Sequence, residues 1–347
     1  MSKVIVDPKP LYPVEELDLI ISKYPHLRGS KFREAEPDID KWFKRGGHHY
    51  SIRDWRILDY SMCTISGVNY PVYGIPPKHV DPYNYFSVLG SAHSAGVCSV
   101  NNYSHFLSLL SNLPAINLSR GGNSPELIAR DNLEACNYYL PYSKFVIFEI
   151  MSVRSASNSR FAVTSGDMAY DNQAKNIGTC SKVKSRPMDT YRELMKSDPI
   201  ELNRLIRESS DTYLMHAQKI IEHIQRPIIF LWLSQRDPDY FDIGDILNVD
   251  TPEYFNSITR FQNSFPMFTG RWICERMIDL ARARGIKSAL VEVASNTCLG
   301  QLAVNRFTNE PTTWWNGEAK QSYYPSLYMH RLTATRILRC IQEFELA

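Results

Sequence analysis

From about residue 84 onward, short apolar runs alternate with amphipathic stretches, the pattern of repeated β-α units wound into a mainly parallel sheet. Five runs are predicted as strands: Tyr85–Leu89, Ala115–Leu118, Phe145–Ile150, Pro227–Leu233 and Ser288–Val293. Each is too continuously apolar to have one wet face, as expected of strands covered on both sides. Helical spacing between them predicts helices over Tyr103–Asn112, Pro125–Tyr139, Pro199–Ile224 and Phe268–Arg284. A last helix, Leu327–Phe344, carries Leu332, Ile337, Leu338 and Ile341 at the same spacing. Ser124-Pro125 reads as a cap followed by a first-turn proline, and Gly285 behind Arg282 and Arg284 as a stop. The elements add up to a flavodoxin-like, three-layer α/β sandwich with a parallel sheet of order 2-1-3-4-5.

Two segments interrupt the alternation. A polar insertion at about 154–198 follows the third strand, and another at about 235–266 follows the fourth, opened by the turn signal Arg236-Asp237-Pro238-Asp239-Tyr240. Connections of that length are expected to wall or cover a site. Residues 1–80, rich in proline and aromatic side chains, are expected to form an N-terminal extension packed on the core, with residues 81–347 as the main α/β domain.

The chain has 347 residues, 44% of them hydrophobic, and a formal charge of +2, so a substantial core is available and no basic excess points to nucleic acid. Seven scattered cysteines (Cys63, Cys98, Cys136, Cys180, Cys274, Cys298 and Cys340) show no C-x-x-C pair, so reduced thiols and a cytoplasmic setting are expected. No apolar run reaches the ~20 residues that cross a bilayer, and no membrane partner is expected. His48-His49 lacks neighbours at ligand spacing, so no metal site is expected there.

Ligands of open parallel sheets bind beyond the carboxyl ends of the strands, which makes the residues just after each strand the candidates. Strand one delivers Ser91 and His93; strand two delivers Arg120, Gly121, Gly122 and Asn123; strand three delivers Ser152, Arg154 and Asn158. Strand four delivers Gln235 and Arg236, and strand five Asn296 and Cys298. Arg120, Arg154 and Arg236 together would clamp an anion, because guanidinium forks match carboxylate, sulfate or phosphate oxygens. The alternative is that each sits on the surface or in an internal ion pair, such as Arg236 with Asp237 or Asp239. Gly121-Gly122 ahead of a helix offers open backbone N–H groups to an oxyanion, or simply makes a tight turn.

Three segments in order, Val88-Leu89-Gly90-Ser91-Ala92-His93-Ser94-Ala95-Gly96, Ile116-Asn117-Leu118-Ser119-Arg120-Gly121-Gly122-Asn123 and Tyr323-Tyr324-Pro325-Ser326-Leu327-Tyr328-Met329-His330, resemble blocks of the SGNH hydrolase superfamily. The resemblance implies an esterase-like fold with its triad replaced: Ala92 stands at the nucleophile position, Gln321 at that of the aspartate and Tyr324 at that of the histidine. Over roughly residues 50–345 the chain is more similar still to an uncharacterised bacterial family with G-S-A-x-T-x-G, M-S-x-R-S-x-S-N and Y-Y-P-S-P-x-M-H segments, in which these triad positions are replaced.

Without a triad, two routes stay open. Ser91 or Ser94 attacks with His93 or His330 as base, or one of these histidines acts as base on an acceptor hydroxyl. Tyr324 would donate a hydrogen bond near developing charge, or pack its ring. Trp314, Trp315 and Tyr323 would line a sugar or aromatic substrate, or lie in the core. The expectation is therefore an SGNH-like enzyme with a rearranged, non-triad site, transferring or hydrolysing a group on a small anionic or sugar-bearing substrate. Its expected catalytic residues are His93, Ser91, Tyr324 and His330, and its binding residues Arg154, Asn158, Gly122, Asn123, Arg120, Arg236 and Ser152. The alternative is a non-catalytic binding protein that retains the crevice. The sequence specifies neither a cofactor nor an oligomeric state.

Overall fold

The computed structural model describes residues 60–65, 68–73, 81–96, 102–166, 168–175, 182–242, 266–294, 301–302, 320–321 and 324–344. Its strands, in chain order, begin with β1 (Tyr60–Ile65), β2 (Val68–Tyr73), β3 (Phe86–Leu89), β4 (Ala115–Asn117) and β5 (Val146–Glu149). They continue with β6 (Phe161–Ser165), β7 (Met168–Lys175), β8 (Lys182–Ser185), β9 (Ile228–Ser234), β10 (Ser288–Ala294), β11 (Gln301–Leu302) and β12 (Lys320–Gln321). The α-helices are α1 (Ala92–Ala95), α2 (Tyr103–Ser111), α3 (Pro125–Asp131), α4 (Leu133–Tyr139), α5 (Pro187–Ser197), α6 (Pro199–Ile221), α7 (Arg271–Arg282) and α8 (Leu327–Glu343).

The main sheet runs β1-β2-β4-β3-β5-β9-β10. Its last five strands pair in parallel and are the five predicted, in the order 2-1-3-4-5. The described part of residues 1–80 supplies the other two, a hairpin that joins β4 antiparallel and extends the edge.

Period-two side-chain alternation divides the core into two layers. On β9, Ile228, Phe230 and Trp232 face the layer of α3, α4, α6 and α7, while Ile229, Leu231 and Leu233 face that of α2 and α8. Every β9 residue is buried, which is why the run reads as continuously apolar. Burying one such Leu, Ile or Phe contributes about 1.5–3 kcal/mol, so these two layers dominate stability. No described helix is long and apolar enough to cross a membrane.

Three predicted elements are corrected. The helix expected over Pro125–Tyr139 breaks at Asn132, whose backbone leaves the helical region (φ −130°, ψ 12°). The helix expected from Phe268 starts only at Arg271, because Phe268 lies at φ 53° and Gly270 is extended. The 154–198 insertion is largely folded: β6, β7 and β8 form an antiparallel sheet, and α5 packs on α6 through buried Met188, Tyr191 and Met195. Residues 243–265 of the second insertion, and His48, His49, Asn296, Cys298, Trp314, Trp315 and Tyr323, lie outside the described residues.

Candidate functional site at the carboxyl edge of the sheet

β3 ends at Leu89 and the chain turns at once into α1. Ser91 caps that short helix, its Oγ accepting from the His93 N–H at 3.3 Å, and Gly96 closes it at φ 79°. The Ser91 hydroxyl also donates to Oε1 of Glu149 at 2.6 Å. Oε2 of the same carboxyl accepts from the backbone N–H of Ser91 at 2.9 Å and of Ser94 at 3.2 Å. A Cβ on residue 90 would stand 2.3 Å from that oxygen, so glycine there is what lets the carboxyl reach the turn. Glu149 is fully buried at the end of β5; burial pushes its pKa up, and the hydrogen bonds from Ser91 and Ser94 pull against that rise.

The turn after β4 is fastened to the same point. The Arg120 N–H and the Asn123 amide both donate to the Gly90 carbonyl at 3.1 Å. Gly122 occupies φ 70°, where a side chain would be strained, and its carbonyl accepts from the Gly166 N–H at 2.9 Å. Gly166 in turn accepts from Ser155 Oγ at 3.0 Å, which ties the 3-10 turn Val153–Ser155, and with it the half-buried Arg154, to the glycine turn. Asn123 Oδ1 and Ser119 Oγ are buried here without a hydrogen-bond partner.

Tyr324 reaches this edge from the start of α8, where Ser326 caps the helix by accepting from the Met329 N–H at 3.1 Å. Its ring centroid lies 5.4 Å from that of His93, and both residues are buried. The structure thus brings His93, Tyr324, Ser91 and Asn123 around one turn, centred on Gly90 and Ala92.

His330 lies one helical turn further along, in the α2–α8 layer. Neither of its ring nitrogens has a hydrogen-bond partner, and its ring sits 6.1 Å from Tyr103. Burial drives its pKa down to about 3, so the imidazole is neutral at ordinary pH and a weak base. Tyr103 links back to the turn through the Ser94 hydroxyl at 2.7 Å.

The remaining sequence-predicted binding residues have internal partners. Asn158 donates to Tyr191 Oη at 2.8 Å and Ser209 Oγ at 3.0 Å, and accepts from the N–H groups of Arg160 and Phe161. That uses the whole hydrogen-bonding capacity of its amide and makes it a junction between β6, α5 and α6. Ser152 Oγ accepts from Met267 N–H at 2.8 Å, fastening the segment ahead of α7. Arg120 is buried and ion-paired with Asp131 at 3.1 Å, the internal alternative considered above. Arg236 sets its guanidinium 5.8 Å from the Tyr240 ring, and its carbonyl accepts from Trp232 Nε1 at 2.6 Å.

Glu149 is the site residue that sequence reasoning missed. The signal was a lone carboxylate inside the apolar run Phe145-Val146-Ile147-Phe148-Glu149-Ile150, since a charge is buried only where donors meet it. Among the described residues, no group of three or more His, Cys, Asp or Glu side chains is placed to hold a metal.

Several solved structures are similar to the chain. A G-D-S-L family protein from Desulfitobacterium hafniense, described as lipolytic, is 13% identical with a TM-score of 0.32, over 74% of this chain and 98% of that one. A family two carbohydrate esterase from Clostridium thermocellum, in complex with cellohexaose, is 11% identical with a TM-score of 0.36, over 80% of this chain and 69% of that one. An acetyl xylan esterase from the rumen bacterium Butyrivibrio proteoclasticus is 10% identical with a TM-score of 0.38, over 80% and 68%. No family model matches the chain, and no curated protein sequence does.

Proposed function

We infer that the protein is an SGNH-like enzyme whose triad has been replaced, and that it hydrolyses or transfers a group on a small anionic or sugar-bearing substrate. The observation that carries this reading is the His93–Tyr324 pair, 5.4 Å apart at the carboxyl edge, beside an alanine where the resembled esterases keep their serine. With Ala92 unable to attack, the nucleophile is water or a hydroxyl of a second substrate. His93 takes its proton as the oxygen adds to the carbonyl carbon, and returns that proton to the leaving alkoxide when the bond to it breaks. In this reading the Gly122 N–H hydrogen-bonds the developing oxyanion, Arg154 binds an anionic group and Tyr324 donates a hydrogen bond.

An attack by Ser91 fits less well, because its hydroxyl points inward onto Glu149 at 2.6 Å. The same observation favours the second reading, a binding protein that keeps the crevice without chemistry. A panel of acyl esters and acetylated sugars, assayed with and without hydroxyl acceptors, separates the two. The enzyme reading requires turnover that His93→Ala abolishes while ligand binding survives. Arg154→Ala should abolish binding under both readings, and wild-type binding in that variant removes Arg154 from the site.

A further inference from the structure

At the opposite, amino-terminal edge of the sheet, Arg226 and Pro227 lead into β9 while Gly285, Ile286 and Lys287 lead into β10. Between these two approaches lies a cavity of about 300 Å³. Arg226, Arg284 and Lys287 line it together with apolar Ile224 and Ile286, and no carboxylate among the described residues does. Both strands are seven residues long, so this cavity is roughly 20 Å from the carboxyl edge at ~3.3 Å per residue and shares nothing with the site there.

Two of the three cations have a partial structural duty. Lys287 Nζ donates to the Phe344 carbonyl at 2.7 Å and Arg284 donates to the Glu222 carbonyl at 3.3 Å, each answering the end of a helix. Each spends one donor that way, out of three on lysine and five on arginine. Arg226 has no such duty. Its Nε–H is shielded from solvent without an acceptor, and its guanidinium carbon lies over the ring of Tyr83, 4.1 Å from the centroid.

Tyr83 itself is strained. It stands at φ 66°, a left-handed conformation that a bulky side chain rarely adopts, and is kept there by its N–H donating to the Tyr142 carbonyl at 2.7 Å. The strained turn holds the Tyr83 ring beneath the Arg226 fork, with the Tyr142 ring 6.1 Å away. A preset guanidinium with unused donors, two further cations and no carboxylate among the described lining residues suit a ligand that carries more than one negative charge.

We propose that this cavity is a second ligand site, for a small phosphoryl polyanion gripped by Arg226, Arg284 and Lys287. Phosphoryl chemistry suits it better than a single carboxylate, because each phosphoryl group brings nearly two charges and three acceptor oxygens to three cations. The group comes either from a soluble phosphorylated molecule or from a lipid headgroup.

Titration of the full chain with inorganic pyrophosphate by calorimetry, at low and high salt, tests the site, with sedimentation on anionic and on neutral vesicles as the second arm. Saturable pyrophosphate binding, weakened roughly tenfold or more by Arg226→Gln and by Lys287→Gln and unchanged by Arg154→Ala, is the expected result. Binding to anionic vesicles alone, lost in the same two variants, supports the site and assigns the group to lipid. Binding in neither arm, or binding that survives both substitutions and disappears in Arg154→Ala, overturns the proposal. Circular dichroism of each variant verifies that lost binding is not lost folding.

Discussion

Three donors converge on the Glu149 carboxyl, two backbone N–H groups and one hydroxyl, and an amide in its place offers only one accepting atom for them. Glu149→Gln should therefore destabilise the fold by about 1–3 kcal/mol despite its matched shape, read as a lower urea midpoint. A midpoint equal to the parent's would mean that the α1 turn does not depend on the carboxylate. His330 makes a prediction of opposite chemical character. Its folded pKa is depressed from 6.5 to about 3, so below pH 6.5 the unfolded chain binds the proton more readily and stability falls as pH is lowered through that window. His330→Leu should flatten that acid-side fall in urea titrations from pH 7 to about pH 4. An unchanged slope would mean that other groups set it.

Among the elements, glycines before and after α7 separate two kinds of constraint. A Cβ on Gly270 would meet the Phe241 carbonyl oxygen at 2.1 Å, whereas one on Gly285 meets nothing within 4 Å and is opposed only by φ +70°. Gly285→Ala should thus cost about 1–2 kcal/mol and Gly270→Ala clearly more, as thermal midpoints would show. Among the five parallel strands, β3, β5 and β9 were legible because they are buried on both faces and so read as apolar runs, whereas β10 at the sheet edge is only partly buried and was legible from its apolar Ala289, Leu290, Val291 and Val293. By contrast, β6, β7 and β8 were hidden because polar residues interrupt their sequences, as Asp171-Asn172-Gln173 does in β7. Helix α5 did leave a signal in Pro187 at its first turn and Met188, Tyr191, Leu194 and Met195 at helical spacing, but the surrounding polarity masked it. Helix ends failed where one backbone angle decides, as at Phe268 and Asn132, since neither residue type forbids a helix.

For the molecule as a whole, the order of strands placed the candidate site before any side chain was considered, because the glycine turns after β3 and β4 must lie side by side in a 2-1-3 arrangement. Proximity of His93 to Tyr324 was foreseeable from the resemblance of their segments to the first and last SGNH blocks. What stayed illegible was direction. Nothing in the letters shows that Ser91 turns inward to a carboxyl 58 residues away, or that Asn158 is consumed by the fold. The central proposal is that His93 is the working base at the carboxyl edge. Its most direct test is the turnover rate of His93→Ala and Ser91→Ala on the best substrate from the ester and acetyl-sugar panel. His93→Ala should lose about 10²–10⁴-fold in turnover, the usual share of a positioned base, with Ser91→Ala far less affected once folded. Full activity in His93→Ala, with activity abolished in a folded Ser91→Ala, would contradict it.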